Sequence, residues 1–438
     1  MHRRIPHPTP NLLGSGWLQV QDLPESPRKH VKMLLALTML ASAAILQTKP
    51  PPLAASDGVH SFTYDSVQRR LPLIVEAVLE NNPEYPQPLV ESLRALAAEI
   101  GAGCSLKPLQ AAPDTWVSEL EPVLAASQTW FTAPWFLVEN YFYKRILELT
   151  IPVMGEAADP FAAQKAASLS AASGAFQRML DAELDSTDSL EPLVATSLWG
   201  NLADLSVSAG AVLVSPEAAS GGGGGQGESM ILADETGALC SALEAARAGE
   251  VLLVLDNCGL ELVSDLLLVD GLLRCGQSKV TLHVKDSPVF VSDVMASDLE
   301  PTLVWLEEEA ARGKELAARL RAALTDGRLS IESPPFYTSS LPFWEMPESL
   351  HERLGRADVV ITKGDANYRR LLGDLHWAHD ASFQDLMSYW PTSLAALRTC
   401  KSGVLVGTVR DVEAAAAAAH PGNWLTGGLY GVVQFRAA

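Results

Sequence analysis

The stretch Val251-Leu252-Leu253-Val254-Leu255, followed at once by Asp256-Asn257-Cys258-Gly259-Leu260-Glu261, decides the fold. A continuous apolar run of this length has no polar face, so it reads as a strand covered on both sides, as in a parallel sheet. The polar pair ends the strand, and Leu260 to Leu273 reads as the helix that follows. Working outward, Lys279–Val284 is the next strand and Trp305–Leu324 an amphipathic helix rich in Ala, Glu and Arg. Leu329–Ile331, Ala357–Thr362 and Gly403–Val406 read as further strands. Strands alternating with helices predict right-handed βαβ units in an open, mostly parallel sheet, a three-layer α/β/α fold. The order of the strands is not legible at this level.

Toward the amino terminus the period changes. From Ser61 to about Val212 apolar residues recur at helical spacing, in Ser66–Glu80, Leu89–Ile100 and the strongly apolar Trp130–Leu149, with helix and loop over Asp181–Asp204. The expected organisation is a mainly helical domain over residues 49–212, a flexible insertion over 213–230 and an α/β catalytic domain over 231–438. The insertion holds five consecutive glycines, Gly221 to Gly225. A phosphate-cradling loop would need Lys-Ser/Thr directly after them, and none follows. Residues 1–48 stand apart, ended by Lys49-Pro50-Pro51-Pro52. Their apolar run, Leu34 to Leu46, is shorter than the roughly 20 residues a membrane span needs. A disordered extension and an organelle-targeting segment, in an otherwise cytoplasmic protein, both remain open.

Composition narrows the function classes. Of 438 residues, 52 are acidic and 32 basic, a formal net charge of -20. A nucleic-acid binder or a protein for an anionic membrane surface would need a basic face, so neither partner is expected, and no obligate protein partner is evident. The five cysteines form no CxxC, so a disulfide framework or a zinc site is not expected. The chain has no GxSxG, and its one GxGxxG match lies inside the glycine run, so neither acyl transfer nor a dinucleotide site is supported.

In open α/β sheets ligands bind beyond the carboxyl ends of the strands. The polar residues there are Asp256 and Asn257, then Lys285, Asp286 and Asp293, then Lys363 through Arg369, and Arg398-Thr399-Cys400-Lys401 stands just before the last strand, where it could open at the same edge. Carboxylates with an amide oxygen form a hard donor set, which suits Mg²⁺ or Mn²⁺. Neighbouring Lys and Arg would suit a phosphoryl group. Glu261 and Asp265 share a helix face close by, where one of them could orient a water or add a ligand. Taken singly, Asp256 also reads as a helix N-cap, Asp293 as a surface acid and Lys363-Gly364-Asp365 as a plain turn. His283, alternating with apolar residues, reads as a core histidine with its hydrogen bonds met.

Several stretches resemble the metal-dependent damage-control phosphatase family, in the subfamily that carries an RTxK motif and is also called acidic residue methyltransferase. They are Asp256-Asn257-Cys258-Gly259-Leu260-Glu261-Leu262, Lys363-Gly364-Asp365-Ala366-Asn367-Tyr368-Arg369 and Arg398-Thr399-Cys400-Lys401. Ser61–Tyr64, Trp130–Phe136, Leu198-Trp199-Gly200-Asn201 with Asp204 and Ser206, and Trp424–Gly428 are also similar. The resemblance implies Mn²⁺, Ni²⁺ or Co²⁺ on Asp256, Asn257 and Asp293, and hydrolysis of small phosphorylated metabolites such as fructose 1-phosphate and fructose 6-phosphate. It implies substrate contacts from Asp256, Asn257, Asp365, Ala366, Asn367, Tyr368, Arg369 and Lys401. It assigns Glu261 and Asp293 to S-adenosylmethionine, should the chain methylate protein carboxyl groups instead. The catalytic group is then Asp256, Asn257, Asp293 and Lys401.

Overall fold

A computed structural model describes residues 49–59, 61–110, 114–155, 158–200 and 230–438. The readings of residues 1–48, of Asn201, Asp204 and Ser206, and of the glycine run lie outside the described residues. The strands are β1 (Ile231–Asp234), β2 (Glu250–Val254), β3 (Lys279–His283), β4 (Leu329–Glu332), β5 (Val359–Lys363), β6 (Ser393–Thr399) and β7 (Gly431–Arg436). They form one sheet in the order β1-β7-β6-β5-β2-β3-β4. Neighbours run parallel except β6 and β7, which are antiparallel. The expected open, mostly parallel sheet between helices is therefore what the chain forms. Val251 to Leu255 are buried to within 1% of full coverage, as their unbroken apolar run requires.

The longer helices are α1 (Leu71–Asn81), α2 (Gln87–Gly101), α3 (Asp114–Ala125), α4 (Trp135–Met154), α5 (Ala162–Ala171), α6 (Ser173–Asp181), α7 (Leu190–Gly200), α8 (Thr236–Ala245), α9 (Leu260–Cys275), α10 (Leu299–Glu309), α11 (Ala311–Thr325), α12 (Glu348–Leu354), α13 (Gly364–Leu372) and α14 (Arg410–Ala419). Helix α9 is buried from Leu260 to Leu272 and packs on α7. Its polar face finds no water, so Glu261 and Asp265 must be paired inside the protein. Gly276, in the left-handed region, ends it. Pro50–Ala438 forms one compact unit. Among the described residues no helix is long and apolar enough to cross a membrane.

Four readings are corrected. The run Gly403–Val406 is not a strand; the preceding strand, β6, ends at Thr399, and the last strand is β7. Val404, Leu405 and Val406 are buried, but side chains rather than a neighbouring strand meet their backbone groups. Arg398 donates to the Val404 carbonyl, Gln434 Nε2 to the Val406 carbonyl (2.8 Å), and the Val406 N–H reaches the Tyr368 hydroxyl (3.3 Å). Strands β1, β6 and β7 were not anticipated. The single helix over Trp305–Leu324 is two, α10 and α11, separated by the extended Ala310 (φ −161°, ψ 158°). Within Ser66–Glu80, Ser66–Arg70 is a π-helical stretch ahead of α1, and it ends on an arginine that matters below.

Candidate active site

The chain runs from β2 to β3 and β4 on one side of the sheet, then returns to place β5 on the other side of β2. The crevice between the carboxyl ends of β2 and β5 is therefore a topological switch point, where ligands bind in such folds. Asp256 and Asn257 follow β2 there, and Gly364 and Asp365 follow Lys363, the last residue of β5. The two tips meet at Gly364, which has φ +79°; a Cβ at this position would strike the Asp256 carboxylate. Both the backbone conformation and the space demand glycine.

The third element is the loop after β3. Asn257 and Asp293 form an isolated antiparallel bridge, with Cys258 N–H donating to the Ser292 carbonyl (2.7 Å) and Val294 N–H to the Asp256 carbonyl (2.8 Å). Phe290 (φ 49°) and Val291 (φ 65°) bend the loop into this contact. A β-branched residue there is strained, as chain forced into a site often is. The Asn257 amide is held on three sides. Its Nδ2 donates to Asp256 Oδ2 and to Glu261 Oε2, both at 2.9 Å, and its Oδ1 accepts from Ser292 Oγ at 2.7 Å. Lys285 Nζ lies 3.3 Å from Asp293 Oδ2.

Asp256, Asn257, Asp293, Asp365, Ala366, Arg369 and Lys401 line one cleft of about 380 Å³, counting its open mouth. Asp365 Oδ1 accepts from Arg398 Nε (2.7 Å), the Lys401 N–H (3.1 Å) and Ser402 Oγ (3.0 Å). This carboxylate therefore fixes the turn that carries Lys401. Arg398, stacked 4.4 Å over the Tyr368 ring, braces the same turn from inside.

Not every expected residue faces the cleft. Asn367 Nδ2 donates to the Leu255 and Lys363 carbonyls, tying the two strand tips together. Tyr368 donates to Gln434 Oε1 (2.8 Å). Both therefore act as braces rather than lining. Lys363 is corrected from a candidate phosphate contact to a sealed ion pair: its Nζ sits 3.0 Å from both Glu261 Oε1 and Asp265 Oδ1 and donates to the Ser197 carbonyl (2.6 Å). Glu261 is likewise behind Asn257, 1% exposed, and not in the cleft lining. Burial pushes the Asp265 carboxyl up to about 6, against the pull of Lys363. His283 is the satisfied core histidine expected, bonded to the Tyr337 hydroxyl (2.7 Å) and Glu332 (3.2 Å), and burial pushes it down to about 4.

Sequence reasoning missed Arg70, Glu139 and Phe290, which line the cleft with Phe62 and Trp135. One signal was available. Glu139 is an acid inside a stretch apolar on more than one side, and a buried acid needs a cation. It has two: Arg70 bonds one carboxylate oxygen, and Arg369 NH1 donates to the other at 2.6 Å.

The donor set can be weighed against a divalent metal. Among the described residues no three His, Cys, Asp or Glu side chains gather closely enough to hold an ion. The candidate set is instead two carboxylates and an amide, all hard oxygen donors on one buried loop pair, which suits an ion that keeps several waters. An amide oxygen has two lone pairs, so the Ser292 bond does not bar coordination by Asn257. The residues fit.

Residues 66–415 match the family model described as the damage-control phosphatase ARMT1-like domain. The chain is 30% identical over 445 residues to "Damage-control phosphatase ARMT1" of Danio rerio, covering 88% of this chain and 97% of that protein. It is 30% identical over 438 residues to the protein of the same description in Rattus norvegicus, covering 88% and 98%. A solved structure of a DUF89 family protein from Pyrococcus horikoshii aligns with a TM-score of 0.44 and 14% identity, over 77% of this chain and 92% of that one.

Proposed function

This chain belongs to the damage-control phosphatase ARMT1-like family, and on that footing we propose that it hydrolyses small phosphorylated metabolites, sugar phosphates such as fructose 1-phosphate and fructose 6-phosphate. The observation that carries the proposal is the convergence of Asp256, Asn257, Asp293 and Lys401 on one cleft at the switch point. The cleft lining holds four carboxylates against three cationic side chains. A phosphate dianion entering it needs further positive charge. Asp256, Asn257 and Asp293 would hold a divalent ion, Mn²⁺ or Ni²⁺ with Co²⁺ or Mg²⁺ as alternatives, which supplies Lewis-acid stabilisation of phosphoryl oxygens.

The chain's own residues do the rest. Lys401 neutralises phosphoryl charge, and Asp365 with Arg398 holds the Lys401 turn still. Water attacks phosphorus in line: its oxygen forms the new P–O bond, and the bond to the sugar oxygen breaks with its electron pair. That oxygen takes a proton, giving the alcohol and inorganic phosphate. Asp256 sits against Gly364 and accepts from Asn257 Nδ2 (2.9 Å), which holds its carboxylate in place at the cleft.

No observation favours carboxyl methylation. That reading asks Glu261 to meet S-adenosylmethionine, and Glu261 is sealed against Lys363 and Asn257. The experiment is a phosphate-release screen of phosphometabolites crossed with divalent metals, run beside Asp256→Ala. We expect the variant to lose about a hundredfold to a thousandfold in turnover, the scale of removing one preorganised electrostatic group; undiminished turnover sinks the proposal.

A further inference from the structure

Of the oxygen donors that line the cleft, Asn257 is the one whose side chain has two unlike ends. A carboxamide pairs an oxygen that accepts with an NH₂ that only donates, on a nearly symmetric shape. Only the oxygen end can meet a hard cation. Some neighbour must therefore keep the amide from turning over, and the three groups that hold it differ in whether they can.

Asp256 Oδ2 accepts from Asn257 Nδ2 at 2.9 Å. Asp256 belongs to the proposed ligand set itself, however, so its carboxylate answers to the ion as well as to the amide. Ser292 Oγ donates to Asn257 Oδ1 at 2.7 Å. A hydroxyl accepts as readily as it donates, and the Phe290 carbonyl at 3.4 Å offers the Ser292 proton a second place. Ser292 would serve either end of the amide. Glu261 would not. Its Oε2 accepts from Nδ2 at 2.9 Å, and it stands outside the cleft lining. Its Oε1 lies 3.0 Å from Lys363 Nζ, which keeps the carboxylate from rotating. Helix α7 fixes the backbone below it: a Cβ on Gly200 would come within 3.0 Å of Glu261 Cα. A turned amide would set its oxygen against this carboxylate, two acceptors with no proton between them, both sealed from water.

We infer that Glu261 is the positioning residue of the metal site: it holds the NH₂ end of Asn257 and so commits the amide oxygen to the ion. The inference rests on the ligand set of the phosphatase reading, Asp256, Asn257 and Asp293, and adds a residue that touches neither ion nor substrate. The two oxygens of Glu261 then divide their work. Oε1 serves the fold through Lys363, and Oε2 serves the site through Asn257.

The test titrates Mn²⁺ alone into the full chain, stripped beforehand with a chelator, and reads binding by calorimetry. Glu261→Gln keeps the shape and changes the chemistry. Lys363 only donates, so the glutamine must turn its oxygen to Lys363 and its NH₂ to Asn257, and the amide turns over to receive it. Mn²⁺ affinity is expected to fall about 10- to 100-fold, the scale of losing an outer-shell partner of a metal ligand. In an Asn257→Asp background, where the side chain has two like ends, the same Glu261→Gln change should cost no further affinity. Asp265→Asn disturbs the ion cluster without touching Asn257 and should leave affinity within a factor of a few. An undiminished affinity in Glu261→Gln, an equal loss in both backgrounds, or the same loss from Asp265→Asn overturns the inference. Should Glu261→Gln fail to fold, Ser292→Ala decides in its place: its affinity should stay within a factor of a few of wild type, and a loss of about tenfold or more overturns the inference. Wild-type chain that binds no divalent ion brings down the metal-site reading itself. Tight Mn²⁺ binding that is indifferent to Glu261 brings down only this inference.

Discussion

Two lysines follow neighbouring strands and have opposite fates. Lys363 ends β5 and turns behind the Asp256–Asn257 loop, where it is fully buried between Glu261 and Asp265. Lys401 follows β6 and lines the cleft in front of the same loop. Both are lysines among carboxylates beyond a strand's carboxyl end. What separates them is direction: at a strand tip one residue more or less sends a side chain to the other face. The sealed side holds a closed ion cluster, and the open side lines the cleft of the proposed site. Residue type alone therefore does not assign a catalytic role.

The largest way to break this contrast is Lys363→Ala. It leaves two buried carboxylates and the Ser197 carbonyl without their cation, and breaking such a cluster costs about 3–5 kcal/mol. Urea unfolding should show that loss, while turnover per folded molecule stays within a factor of a few. A variant of normal stability but without turnover would move Lys363 into the machinery and end the distinction.

Much of the open side was legible, and the reasons differ by element. The β2 tip announced itself because five apolar residues ended abruptly on Asp256-Asn257. The cluster around Lys363 was visible as a cluster, but its facing was not, since register depends on the sheet order. That order, with β5 returning beside β2, is tertiary information. Val404–Val406 read as a strand because burial, not pairing, makes an apolar run; here Arg398, Tyr368 and Gln434 satisfy the backbone in place of a neighbour. The break at Ala310 had no signal, since alanine is the best helix former and only packing can overrule it. Arg70 and Glu139 come from helices well ahead of the sheet in the sequence, and nothing local links residues 69 positions apart.

The contrast also predicts two different pH responses. Sealed titratable groups should appear in stability and open ones in rate. Burial holds His283 near 4 against an ordinary 6.5, so the unfolded chain takes up a proton between those values and the folded one does not. Its contribution to stability is whole above pH 6.5 and is lost as pH falls toward 4, and a shift of that size is worth roughly 3 kcal/mol. Denaturant unfolding from pH 7 to 4 should show this limb, and His283→Gln should flatten it while leaving the shape of the turnover profile alone. A turnover profile that moved with His283 would place a sealed group in the chemistry.

The smallest of these effects is the most diagnostic. Lys401→Met keeps the aliphatic stem and removes the charge, so packing along the turn survives while the phosphoryl group loses one cation. Asp365 still holds that turn through the residue 401 N–H and Ser402, so the backbone has no reason to shift. Losing one preorganised charge at a transferring phosphoryl group costs about a hundredfold in kcat/KM, at the lower end of such deletions. Steady-state phosphate release would read that loss, and the urea midpoint would move little, the reverse of Lys363→Ala. A Lys401 variant that lost stability and kept its rate would mean that the two lysines had been assigned the wrong way round, because the same pair of measurements on either lysine separates a charge that holds the fold from one that meets the substrate.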